Sequence, residues 1–65
     1  MLYAAFYSVQ IRGLPPIKRL EANVRAPNDA LARKYATKTG RWLKADLGAT
    51  SCRRVELTQG RRVVG

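Results

Sequence analysis

Two runs of alternating apolar residues, separated by a glycine and two prolines, decide most of what this chain can become. From Leu2 to Arg12 one parity is wholly apolar: Tyr3, Ala5, Tyr7, Val9 and Ile11. The other parity drifts from Leu2, Ala4 and Phe6 to Ser8, Gln10 and Arg12. Successive side chains of a strand point to opposite faces, so this segment reads as a strand with one face buried and the other opening to solvent toward Arg12. Gly13-Leu14-Pro15-Pro16 stops it, because glycine permits a positive φ and two prolines cannot continue a ladder. Lys18 to Ala26 then alternates again. Leu20, Ala22, Val24 and Ala26 face one way, and Arg19, Glu21, Asn23 and Arg25 the other. That is the pattern of a half-buried strand, and the short connection predicts an antiparallel hairpin.

After the hairpin the period changes. Asn28 suits an N-cap, since its side-chain oxygen can accept from a free N–H of the first turn. Asp29 puts negative charge at the positive end of the helix dipole. At about 100° per residue, Leu31, Ala32, Tyr35, Ala36, Thr39, Trp42, Leu43 and Leu47 share one broad face. The stripe passes Gly40 in phase, which predicts one long helix ending near Leu47, with Gly48 just past its end. A helix stopping at Gly40 is the alternative. Gly40 costs about 1 kcal/mol relative to Ala and marks a candidate bend.

Ala49 to Gln59 reads as a third strand with Val55 and Leu57 on its core face. Thr58-Gln59-Gly60 is a turn candidate, and residues 61–65 form either a short fourth edge strand or a mobile tail. The fold class expected is α+β: a two-layer β-β-α-β domain, one long helix packed on a small, mainly antiparallel sheet. The third strand is expected beside the first, parallel to it, after a right-handed crossover. That order puts the most apolar strand in the centre.

Size and composition narrow the chemistry. Sixty-five residues make a single domain, and a chain this small buries only about 60% of its unfolded surface. It has no room for a large cofactor or a deep pocket, and no cofactor is expected. One Cys and no His exclude the usual zinc sites, His-based catalysis and an internal disulfide. The apolar run at the N-terminus is shorter than the about 20 residues that span a membrane. It also lacks the preceding basic residues of a signal peptide. A start at Met suggests an intact small gene product. The expectation is a cytoplasmic chain with Cys52 as a free thiol.

Charge points to the partner. Thirteen Lys and Arg against four Asp and Glu give a formal net charge of +9 and a pI near 10.9. Such a charge keeps a small protein soluble, which is its plainest use. In so small a domain it also points to an anionic partner, phosphate above all. Three surfaces offer themselves. The first is the helix face opposite the apolar stripe, with Arg33, Lys34, Arg41 and Lys44 around Thr37. No carboxylate interrupts this arc, whereas an ordinary solvated helix face mixes signs because opposite charges four residues apart are favourable. The second is the outer sheet face, with Arg12, Arg19, Arg25 and Arg54 beside Phe6. Glu21 and Glu56 share that face and are expected to pair with Arg across strands. The third is the pair of dipeptides Arg53-Arg54 and Arg61-Arg62, which a hairpin at Gly60 brings near each other, or which a mobile tail leaves as a flexible basic arm. Contact with a membrane surface is not expected, since the apolar helix face is needed for the core.

Single residues add little. Trp42 aligns with Leu31 and Tyr35 and reads as core, with base stacking as its alternative. Tyr3, Tyr7 and Tyr35 also read as core. Cys52 has no second Cys or His and reads as inert, although Arg53 beside it favours a thiolate. The four carboxylates Glu21, Asp29, Asp46 and Glu56 form no cluster for metal-dependent phosphoryl chemistry, so the chain is not read as an enzyme. The leading expectation is a small nucleic-acid-binding protein, DNA before RNA. Arg33, Lys34, Arg41, Lys44, Arg53, Arg54, Arg61 and Arg62 would contact phosphates without reading sequence. The alternative is a non-catalytic interaction module, a small inhibitor or adaptor docking its basic surface on an acidic or nucleic-acid-binding site of a larger protein. A homodimer through Phe6, Leu2 and a free sheet edge is a third reading.

Overall fold

A computed structural model describes all residues from Met1 to Gly65. The element order is β1 (Leu2–Gln10), β2 (Ile17–Arg25), α1 (Asp29–Leu47), β3 (Ser51–Gln59) and β4 (Arg62–Val63). One helix packs on one face of a four-stranded sheet in the order β2-β1-β3-β4, giving an α+β fold. β1 and β2 form the expected antiparallel hairpin, with Tyr3 opposite Val24 and Tyr7 opposite Leu20.

β3 lies beside β1, as expected, but antiparallel to it rather than parallel. The reason is the length of the helix. Its 19 residues span about 28 Å, close to the about 30 Å of a nine-residue strand. α1 therefore carries the chain back to the end where β2 began. β3 then runs in the direction of β2, and β1, the hairpin partner of β2, sits between them. Thr50 closes this end by donating from both its N–H and its hydroxyl to the Gln10 carbonyl, at 2.8 and 3.1 Å.

The helix begins and ends where its sequence directs. The Asn28 side chain accepts from the Leu31 N–H at 2.9 Å. Gly48 ends the helix at φ +62°, a left-handed conformation that suits glycine. The Ala49 N–H then returns to the Lys44 carbonyl at 2.9 Å.

The core lies between sheet and helix. Tyr3, Tyr7, Val9 and Leu57 are its largest fully buried side chains. The helix meets them with the smallest residues it has, Ala32, Ala36 and Gly40, one turn apart. The helix runs through Gly40 unbroken rather than stopping there. A Cβ at Gly40 would lie 2.9 Å from Cε2 of Tyr7, so the glycine is what lets the Tyr7 ring lie against the helix. The Tyr7 hydroxyl then donates to the Ala36 carbonyl at 2.5 Å.

This stripe of small residues sets the rotation of the helix and corrects the position expected of Trp42. Trp42 lies six residues after Ala36, about 120° around the helix from the centre of contact. It is 67% exposed rather than core. Leu47 is also exposed, while Leu31, Tyr35 and Leu43 pack at the margin.

β3 carries a second correction. Phe6 pairs with Glu56 but Tyr7 pairs with Arg54, so Val55 is the extra residue of a β-bulge. Leu57 faces the core, and Val55 is 46% exposed rather than its partner there. Beyond the bulge the parity reverses. Arg54 opposes Tyr7 and Cys52 opposes Val9, both residues of the inner face. Arg54 therefore sits on the helix side and not, as the simple alternation implied, on the outer face.

The C-terminal segment forms the fourth strand rather than a loose tail. Gly60, at φ +59°, turns the chain so that Arg62 opposes Gln59 and Val63 opposes Thr58. Leu57 exchanges backbone hydrogen bonds with the last residues, accepting from Val64 at 2.8 Å and donating to Gly65 at 2.6 Å.

Candidate nucleic-acid interface

The reversed parity of β3 has a direct electrostatic consequence. It turns Arg54 toward the same side of the molecule as the cationic arc of α1. Between the second half of α1 and the first half of β3 lies a groove of about 440 Å³. Tyr7 and Gly40 line its floor, Arg41 and Lys44 come from the helix, and Arg53 and Arg54 from the strand. Four cationic residues and no carboxylate border this groove; Arg54 is on its inner side, while Arg53 opposes Ser8 on the other parity of β3 and stands at the rim.

The cations here are held without being neutralised. Arg54 donates to the Arg33 carbonyl at 3.1 Å, and Arg33 donates to the Val64 carbonyl at 3.1 Å. A carbonyl fixes a guanidinium in place but carries no formal charge, so the positive charge stays available to an anion. Thr37 donates to the Arg33 carbonyl at 3.1 Å. Burial pushes the Tyr7 hydroxyl above its ordinary range, with Arg54 pulling the other way, so it remains a donor at neutral pH. Burial also raises the Cys52 thiol, against an opposing pull from Lys44, so it stays a thiol beside four cations.

The other expected cations sit differently. Lys34 is on the exposed arc of α1 but does not line the groove. Arg61 is exposed in the turn before β4. Arg62 is engaged: it donates to both carboxylate oxygens of Asp29, at 2.7 and 3.0 Å, and to Gln59 at 2.5 Å. The Tyr3 hydroxyl donates to the same carboxylate at 2.7 Å. The Arg62 guanidinium first, and the Tyr3 hydroxyl second, hold the Asp29 carboxyl at a pKa of about 2. The hairpin at Gly60 closes, yet its register leaves Arg61-Arg62 beside Gln59, most of a strand away from Arg53-Arg54.

The outer face of the sheet is less open than its sequence suggests. Arg19 lies over the Phe6 ring at 3.9 Å and pairs with Glu56 at 2.5 Å, reaching across β1. This is the cross-strand pairing expected of Glu56. It covers the aromatic ring and cancels the charge that a phosphate would seek.

Sequence reasoning found Arg41, Lys44, Arg53 and Arg54 but not that they line one groove, and it missed Tyr7 and Gly40 as its floor. One signal for the bulge was present. Cys52 and Leu57 are both apolar and stand at opposite parity, so a regular strand cannot turn both inward.

No protein-family model matches this chain, and neither does a curated protein or a solved structure. No helix is long and apolar enough to cross a membrane.

Proposed function

We propose that this protein binds nucleic acid through its phosphate backbone, seating it in the groove between α1 and the first half of β3. The observation that carries this reading is the gathering of Arg41, Lys44, Arg53 and Arg54 with no carboxylate among them. Like charges held together in a folded chain repel one another, and an anion relieves that repulsion. Phosphate supplies the anion, and guanidinium groups match it in geometry as well as charge. Arg33 and Lys34 extend the path along the helix, while Arg61, exposed in the turn before β4, stands apart from it. Arg62 contributes least, because Asp29 already holds it. Phosphate contacts position a ligand without reading its bases, so no sequence preference is proposed. The role is binding and not catalysis, and the first ligand to test is DNA.

Fluorescence anisotropy with a labelled random duplex and a labelled random single strand, over a salt series, tests this. A log–log slope of about −3 to −4 matches four phosphate contacts, at about −0.9 each on duplex and about −0.7 each on a single strand. No binding of either probe at low salt rejects the reading.

A second reading has its own observation. The C-terminal segment pairs with β3 only from Leu57 to Gln59, so the outer edge from Ser51 to Val55 has no strand partner. An acidic segment of another protein could add there as a strand and meet the same cations. A stoichiometric partner recovered in a pull-down that withstands nuclease favours this interaction module. Molar mass by light scattering reports whether a second copy uses the edge instead.

A further inference from the structure

We infer that Trp42 is a base-stacking platform, and that the nucleic acid bound by this protein is single-stranded; this rests on the phosphate-binding reading above. Trp42 is the only tryptophan in the chain, and it is 67% exposed on a well-formed helix. It stands beside a second groove of about 350 Å³, on the β2 side of α1. Asn23 and Arg25 line that groove from β2, and Tyr35, Lys38 and Thr39 from the helix. Its charged lining is cationic only, through Arg25 and Lys38. Asp46, one turn beyond Trp42, is not part of it.

An aromatic face flanked by cations with no carboxylate among them matches one anionic ligand class in particular. Each nucleotide of a single strand presents a flat π-face and a phosphate together, whereas a duplex hides its base faces in the stack. A strand lying in the first groove meets Arg41, and Lys38 lies three residues before Arg41, where helix neighbours share a face. Trp42 follows Lys38 by four residues, one further turn. The helix thus offers a continuous cationic step from the phosphate groove to the indole. The outer sheet face offers no comparable platform, because Arg19 already covers Phe6.

The test is the emission of Trp42 itself, read together with anisotropy. An unlabelled single-stranded oligonucleotide of mixed sequence is titrated into the protein, in parallel with its duplex and with inorganic polyphosphate. Stacking quenches the indole with the single strand, and not with polyphosphate held in the cationic groove. W42A is expected to weaken single-strand binding about tenfold, with the salt slope unchanged, and to leave duplex affinity within about twofold. W42F keeps an aromatic face and is expected to restore most of the loss. Thermal melting of both variants checks the fold, which an exposed side chain leaves intact. Binding of the single strand with unchanged indole emission and equal affinity in W42A overturns the stacking role and leaves the phosphate groove standing. Equal losses on single strand and duplex overturn it too. Emission changes that follow protein concentration alone assign Trp42 to a contact between copies. No anisotropy change with any nucleic acid removes both readings together.

Discussion

Arg53-Arg54 and Arg61-Arg62 are the same dipeptide in the sequence, yet the fold gives them opposite surroundings. Arg62 ends on Asp29, in two hydrogen bonds of 2.7 and 3.0 Å, at the start of α1. Arg54 ends on a backbone carbonyl, in a groove with three other cations and no carboxylate. One pair closes the domain, tying β4 to the helix N-terminus, and the other leaves its charge to solvent. Net charge does not say where positive charge stays uncompensated. The placement of the four carboxylates says where: Glu56 cancels Arg19, Asp29 cancels Arg62, and neither Glu21 nor Asp46 lines the groove.

Three expected outcomes sharpen that contrast. The largest concerns binding. Replacing Arg41, Lys44, Arg53 and Arg54 together with Gln is expected to take three to four units off the salt slope. Four contacts at about 0.7 to 0.9 log units each, single strand to duplex, between 1 M and 0.1 M salt make the loss at 0.1 M about a thousandfold. R61Q with R62Q, measured on the same DNA, is expected to change affinity far less. Equal losses from the two sets would erase the distinction between the pairs.

Next in size is the floor of the groove. Gly40→Val drives a branched side chain into the buried Tyr7 ring, whose hydroxyl is held by Ala36. Such overpacking costs about 2–3 kcal/mol, which urea denaturation would read as a lower midpoint at unchanged slope. A variant as stable as the parent would mean that helix and sheet part more easily than this packing implies.

The smallest effect lies at the other pair. Asp29 titrates near 2 when folded, below its ordinary 3.8, so its stabilisation is complete above about pH 4 and is lost as pH falls toward 2. Asp29→Asn is expected to lower the melting temperature modestly at pH 7 and to flatten the acid dependence between pH 4 and 2. R62Q is expected to do the same. A melting curve at pH 7 and another at pH 2.5 for each variant would show it, and a wild-type acid dependence retained in both would contradict the pairing.

Most of the fold was legible in local pattern. The alternation around Tyr3 to Val9 and Leu20 to Ala26, the Asn28 cap and the Gly48 stop are decisions of backbone geometry made within a few residues. What was not legible depends on distance between layers. The direction of β3 follows from helix length matching strand length, and not from any residue in β3. Trp42 belongs to the apolar arc by angle, yet Ala32, Ala36 and Gly40 approach the sheet most closely and turn the indole outward. The groove needed the bulge at Val55, and its one trace in the sequence is the parity conflict between Cys52 and Leu57. The cationic arc of the helix could be read directly; that Arg54 joins it could not.

A two-dimensional amide NMR titration with a short oligonucleotide tests the central claim most directly, because it reports every residue at once. The expected result is that the largest shifts cluster on Thr37 to Lys44 and on Cys52 to Arg54, while Asp29 and Gln59 to Val63 stay nearly still. Largest shifts at the Arg61-Arg62 turn, or across the Phe6–Arg19 face of the sheet, would contradict the assignment of the groove.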